Sequence, residues 1–234
     1  MHNSALKEMF AAMGRSDFDR SLGRALELEG IDLCNAHLGL TESSQTLNQR
    51  LRLIAQADAL ADAGTRNDVR KSILSTWAGA HPSEVRAYVE GLTDPAARSE
   101  TARQAGAGLM ASMAPVDAAD WWLHQTTESD RPGALADIIR RWSEIDLVGA
   151  ADWLGKQSNG PETDAARNAF AIQAIQRAPN AAMNWANAIS DQTRRLQTMR
   201  DVYRVWSGQS PVDAQTWLAN SGLPQDQQEA VRRR

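Results

Sequence analysis

Residues 142–154 read WSEIDLVGAADWL and residues 206–218 read WSGQSPVDAQTWL. Each stretch opens on Trp (Trp142, Trp206) and places Leu147 or Pro211 five residues on. Ala150 or Ala214 follows at offset eight, and Trp153-Leu154 or Trp217-Leu218 at offsets eleven and twelve. Extending the register outward gives the anchors Trp77, Met110, Trp142, Ala174 and Trp206, spaced by 33, 32, 32 and 32 residues. Offset five then holds Pro82, Pro115, Leu147, Pro179 and Pro211. Offset eight holds Val85, Ala118, Ala150, Ala182 and Ala214, offset eleven Tyr88, Trp121, Trp153, Trp185 and Trp217, and offset twelve Val89, Trp122, Leu154, Ala186 and Leu218. Columns this uniform over five copies are the signature of a tandem helical array.

Offsets eight, eleven and twelve share one face of a helix, because residues three and four apart lie one above the other. The proline slot suits the first helical turn, where a missing N–H costs nothing. Ser210, with Asp213 three residues later, reads as an N-cap with a partner carboxylate. This segment is helix A of each unit. Helix B runs into the next anchor, with Val69, Ile73, Leu74 and Trp77 setting the pattern. It is repeated as Ala134, Ile138, Ile139 and Trp142, and again as Thr198, Val202, Tyr203 and Trp206. Polar breakers such as Thr93-Asp94-Pro95, Ser158-Asn159-Gly160-Pro161 and Ser190-Asp191-Gln192 separate A from B. A hairpin of this size cannot bury its apolar stripe alone, so neighbours must stack.

The sequence thus predicts an all-α solenoid of antiparallel helical hairpins. Residues 66–234 form about five repeats of 32–33 residues, the last incomplete, after a degenerate helical cap over 1–65. In that cap Ala5, Met9, Phe10 and Met13 copy the helix B columns and Phe18 takes the proline slot. The next copy loses its helix B pattern around Ile31–Gln45, and helix resumes over Thr46–Ala63 until Gly64. At the other end Pro224 opens a helix B that stops at Arg234, four residues before the next anchor slot, which reads either as a short cap or, by preference, as an array continuing in a longer parent chain.

On these columns the chain resembles a tetratricopeptide-type α-solenoid. The six-residue step from proline to aromatic recurs as Pro82/Tyr88, Pro115/Trp121, Pro179/Trp185 and Pro211/Trp217. The period is shorter than that family's, and its small helix A glycine is missing. The segment Trp142 to Trp153 is more similar to bacterial Trp-rich tandem repeats of the form W-A-x-x-D-P-x-A-A-x-W. The resemblance implies a right-handed superhelix (TPR/HEAT-like) and a scaffold or partner-binding role, and it carries no catalytic residues over.

Composition sets further bounds on the 234-residue chain. Hydrophobic residues make up 42% and charged residues 23%, an ordinary globular balance. A net charge of −4 argues against nucleic-acid binding by overall charge. No apolar run is long enough to span a membrane. Cys34 is the single cysteine, so neither an internal disulfide nor a cysteine-based zinc site can form within one chain. The start Met-His-Asn-Ser lacks a secretory signal's basic and apolar regions. As written it points to the cytoplasm; a trimmed N-terminus would leave the periplasm or envelope open.

No H-E-x-x-H, G-x-S-x-G, P-loop or G-x-G-x-x-G occurs, so no enzyme, metal or cofactor is expected. His81 reads as a turn residue, and Gly106 and Gly108 as points of close helix packing. Asp137/Arg140 and Asp201/Arg204 read as solvated pairs worth ~0.2–0.5 kcal/mol each. Aligned Trp side chains can stack bases or sugars, yet their stripe faces inward, so they are read as core. Trp121 and Trp122 differ by about 100° around the helix, so one of the two is expected to be only partly buried.

The functional expectation falls on helix A opposite its core stripe. Offset ten gives Ala87, Asp120, Asp152, Asn184 and Thr216, and offset thirteen gives Glu90, Leu123, Gly155, Asn187 and Ala219, flanked by His124, Lys156 and Asn220. The resemblance implies that helix A lines the groove, so the expected partner-binding residues are Asp120, His124, Asp152, Lys156, Asn184, Asn187, Thr216 and Asn220. Mixed polarity of this kind suits a peptide or protein partner. The alternative expectation is a structural spacer or envelope scaffold without a specific groove.

Overall fold

The computed structural model describes the backbone of residues 2–233 and the side chains of 4–233. About 80% of the chain is helical, and no strand occurs among the described residues. Its contacts divide into two compact units, Met1–Thr126 and Thr127–Arg234.

The first unit contains α1 (His2–Ser16), α2 (Phe18–Ala25), α3 (Gly30–Ser43), α4 (Leu47–Asp58), α5 (Ala63–Ala80), α6 (Pro82–Glu90), α7 (Pro95–Ser112) and α8 (Pro115–Gln125). The second contains α9 (Arg131–Ile145), α10 (Leu147–Leu154), α11 (Pro161–Ala174), α12 (Pro179–Asn187), α13 (Gln192–Gln209), α14 (Pro211–Ala219) and α15 (Gln225–Arg232). The offset-five residues Pro82, Pro115, Leu147, Pro179 and Pro211 each open a helix, as the register requires. Odd-numbered helices are therefore helix B and even-numbered ones helix A. Within each unit the B helices pack in series, α1–α3–α5–α7 and α9–α11–α13–α15. Each A helix packs on the B helix before it and, where its unit supplies one, in most cases on the B helix after it.

The columns at the anchor and at offsets eight and twelve are buried in all five copies. Anchor and offset-eleven rings meet inside a hairpin, Trp77 on Tyr88 at 5.4 Å and Trp142 on Trp153 at 5.8 Å between centroids. Where Ala174 leaves the anchor slot small, Phe170 fills it from one turn earlier, 5.4 Å from Trp185. The adjacent Trp121 and Trp122 are both buried, at 7% and 1% exposure, against the expectation that one would be wet. The reason is a hole: Trp122 lies over Gly106, whose missing Cβ would fall inside the indole ring. Trp121 meanwhile turns to α6. The part-exposed rings of the offset-eleven column are instead Tyr88, Trp185 and Trp217. Gly108 likewise lets α7 press on the α5 backbone at Ser75 and Gly79.

A recurring clamp fixes the turn from A to B. Asp62, Asp94 and Asp191 cap α5, α7 and α13 through backbone N–H groups. Four residues on, Arg66, Arg98 and Arg195 donate back to the carbonyls of Leu60, Leu92 and Ile189 at 2.6, 3.1 and 2.9 Å. Ser210 stands at the N-cap of α14 but makes no side-chain cap bond, which corrects the capping expectation there.

Two N-terminal expectations also change. The segment around Ile31–Gln45 is a full helix B, α3, paired with α1 and α5. Its pattern was hidden because polar and small residues, His37, Gly39, Thr41 and Ser43, interrupt the buried Leu33, Ala36 and Leu40. Three of these side chains bond locally to their own helix, His37 Nδ1 to the Leu33 carbonyl at 2.9 Å, the Thr41 hydroxyl to the His37 carbonyl at 2.7 Å and the Ser43 hydroxyl to the Leu40 carbonyl at 3.1 Å. Ala63 and Gly64 do not stop a helix; they lie in the first turn of α5, behind the Asp62 cap.

Candidate functional site

Helices A are short, and α6, α8, α12 and α14 begin on a rigid proline. Consecutive ones, α6 and α8 or α12 and α14, rest on the B helix between them and scarcely on each other. A furrow opens between each such pair.

In the second unit the furrow between α12 and α14 has a volume of about 1020 Å³. Asn180, Asn184 and Asn187 line it from α12, and Asp213, Thr216, Trp217 and Asn220 from the other side, with Trp206 of α13 beneath. Trp206 is 5% exposed and belongs to the core; Trp217 is half-buried. The Trp217 indole N–H crosses the furrow to Asn184 Oδ1 at 3.0 Å. The Thr216 hydroxyl is turned onto its own helix, donating to the Val212 carbonyl at 2.8 Å.

In the first unit the corresponding furrow is smaller, about 620 Å³, and charged. Arg86 and Glu90 of α6, Arg98 of α7 and Asp117, Asp120 and His124 of α8 line it. Trp121 bridges it as Trp217 does its counterpart, donating to Glu90 Oε1 at 2.7 Å. The Arg86 guanidinium lies 5.8 Å from the Trp121 ring centre, a cation–π distance.

The expected ladder is therefore split. Asn184, Asn187, Thr216 and Asn220 come together in the second unit, and Asp120 with His124 in the first. Asp152 and Lys156 are exposed and line neither furrow. The ladder missed Asn180, Asp213, Asp117 and Arg86. A signal existed for the first three: they lie three or four residues before Asn184, Thr216 and Asp120, on the same face one turn nearer the helix start. The role of Trp217 as a furrow wall had no such signal, since its column reads as core.

Groups with shifted protonation lie in the framework, away from both furrows. Burial would raise the Asp164 carboxyl, but donation from the Ser190 hydroxyl and the Ser190 and Asp191 N–H groups, with Arg167 beside it, holds it below the usual range. Glu84 is likewise held low: burial is outweighed by bonds from Trp77 and Arg50 and by the Arg50 charge. Burial pushes His37 down, partly offset by the Leu33 carbonyl and Gln56. Among the described residues no three His, Cys, Asp or Glu side chains gather as a metal site, and no helix is long and apolar enough to cross a membrane.

No known protein family, curated protein or solved structure matches the chain.

Proposed function

We propose that the chain is a non-enzymatic interaction module, a right-handed tetratricopeptide-like solenoid that holds a peptide or protein segment on its helix A face. Residues 1–65 act as the cap of the array. The observation that carries this reading is the α12–α14 furrow, where four of the eight ladder residues line one open channel. Amide and hydroxyl groups over an aromatic floor are the lining that orients a polar ligand by a few placed hydrogen bonds. The handedness and the scaffold role rest on the resemblance of the repeat columns.

The test is affinity selection from a phage-displayed random 12-residue library, on the full chain and on a blocked variant, Asn184→Arg with Thr216→Arg. Selection on the native chain that disappears in the blocked variant, with unchanged far-UV circular dichroism, supports the module. Equal selection by both removes the furrow from the account. Absence of selection by either favours the spacer reading. Under that reading, deleting one 32-residue repeat would harm the cell's phenotype and the blocked variant would not.

A further inference from the structure

We infer that the α12–α14 furrow takes an extended peptide by its main chain and seats one lysine or arginine of that peptide against Asp213. This rests on the peptide-binding reading of the same face and names what the segment must look like.

The first argument is the repeat distance. Asn180 and Asn184 stand one turn apart on α12, about 6 Å along the axis at 1.5 Å per residue. An extended chain presents equivalent backbone groups every two residues, about 6.6 Å. A chain laid along the furrow therefore offers a peptide group to each asparagine in turn. Asn187 continues the stripe.

The second argument is the chemistry of the amide. Each asparagine carries a C=O acceptor and an NH₂ donor on one plane, the complement of a peptide group's own N–H and C=O. Asn184 Oδ1 already accepts from Trp217, which fixes that end of the amide and leaves its NH₂ to donate to a ligand carbonyl. The half-buried Trp217 ring gives the segment an apolar edge to lie against.

Charge supplies the third. Asp213 is the single ionisable side chain among the residues lining the furrow, and no lysine, arginine or histidine accompanies it. The lining is amide, hydroxyl, proline, alanine and indole. A ligand with one cation is matched there. A nucleic acid, which needs several cations along its phosphates, is not.

The same phage-displayed 12-residue library, selected on the full chain and on Asp213→Lys, tests the inference. The expected result is a family of sequences sharing one Lys or Arg at a fixed position and varied elsewhere. Asp213→Lys should exchange that preference for Asp or Glu and weaken the original peptides at least tenfold, with circular dichroism unchanged. In a synthetic copy of a selected peptide, N-methylation of alternate backbone amides should cost tenfold or more, and methylation of the intervening ones should cost little. Selected peptides with no shared cation, with an amphipathic helical pattern, or indifferent to Asp213→Lys would overturn the inference and leave peptide binding standing. Failure to select any peptide, or retention of fluorescent cellohexaose in its place, would overturn both.

Discussion

The two furrows are built by one device and end with different chemistry. In each, an offset-eleven indole N–H reaches back to the preceding A helix, Trp121 to Glu90 in the first unit and Trp217 to Asn184 in the second. The acceptor is a carboxylate in one and an amide in the other. Around Glu90 stand Arg86, Arg98, Asp117, Asp120 and His124; around Asn184 stand three more asparagines and one carboxylate. The hairpin fixes where a furrow lies, because the B helix beneath spaces the A helices. Residues facing away from the core then fill it freely, since they pay nothing in packing. Equivalent places in the two units carry unlike side chains in this way.

The frameworks differ as well. In the first unit Glu84 collects Arg50 and the Trp77 indole, tying α4, α5 and α6 together. In the second, Asp164 holds the turn into α13 through Ser190 and Asp191. The first sets a part-exposed carboxylate over a buried Arg50, and the second buries the carboxylate itself, so the groups that donate to Asp164 lose more when it is removed.

The comparison is broken most forcefully by core substitutions specific to one unit. Trp122→Ala removes a fully buried indole over Gly106 and should cost about 4 kcal/mol. The check is the urea midpoint, with amide exchange rising most over residues 2–126; an effect spread evenly over both units would contradict the division. Asp164→Ala takes the acceptor from the Ser190 hydroxyl and from the Ser190 and Asp191 N–H groups, while Arg167 keeps the Ala188 carbonyl and Asn159; it should cost about 3 kcal/mol, with exchange rising most around residues 188–195.

Acid sharpens the contrast further. His37, held below its ordinary pKa, is neutral in the folded chain while the unfolded chain takes up a proton below about pH 6.5. Its contribution is complete above that pH and declines as pH falls. Asp164 is held low, so its stabilisation is present above about pH 3.9 and is lost only below. Protection factors for amide exchange, corrected for the intrinsic rate, should therefore fall around α3 between pH 7.5 and 5 while those of the 188–195 turn hold. His37→Gln should flatten that dependence, and persistence of the slope would assign it to another group. Smallest of all, Asn184→Ala should change stability by about 1 kcal/mol or less, one part-exposed hydrogen bond. A larger shift in the urea midpoint would make the Asn184–Trp217 bridge a structural strut instead of a feature of the site.

Much of the helical plan was legible because a 32-residue period imposes itself on five copies. Prolines at offset five open helices, and the anchor, eight and twelve columns are buried throughout. Reading failed where burial is not apolar. On α3 the buried His37 Nδ1, Thr41 and Ser43 bond to carbonyls one turn back on their own helix, a solution no hydrophobic pattern displays. The candidate site was half legible: the stripe on helix A could be placed, but which members meet could not.

By itself, the sequence determined the all-helical class, the register of the repeat columns and the inward face of the helices that carry them, because those follow from periodicity and from what proline permits locally. The tertiary structure alone decided that Trp122 could sink onto Gly106 beside an equally buried Trp121. It also decided that Asn180, Asn184, Asp213 and Trp217 share one channel while Asp152 and Lys156 stand outside it. Such facts depend on which helix spaces which, and spacing between helices is set by side-chain volume at contacts far apart in the chain.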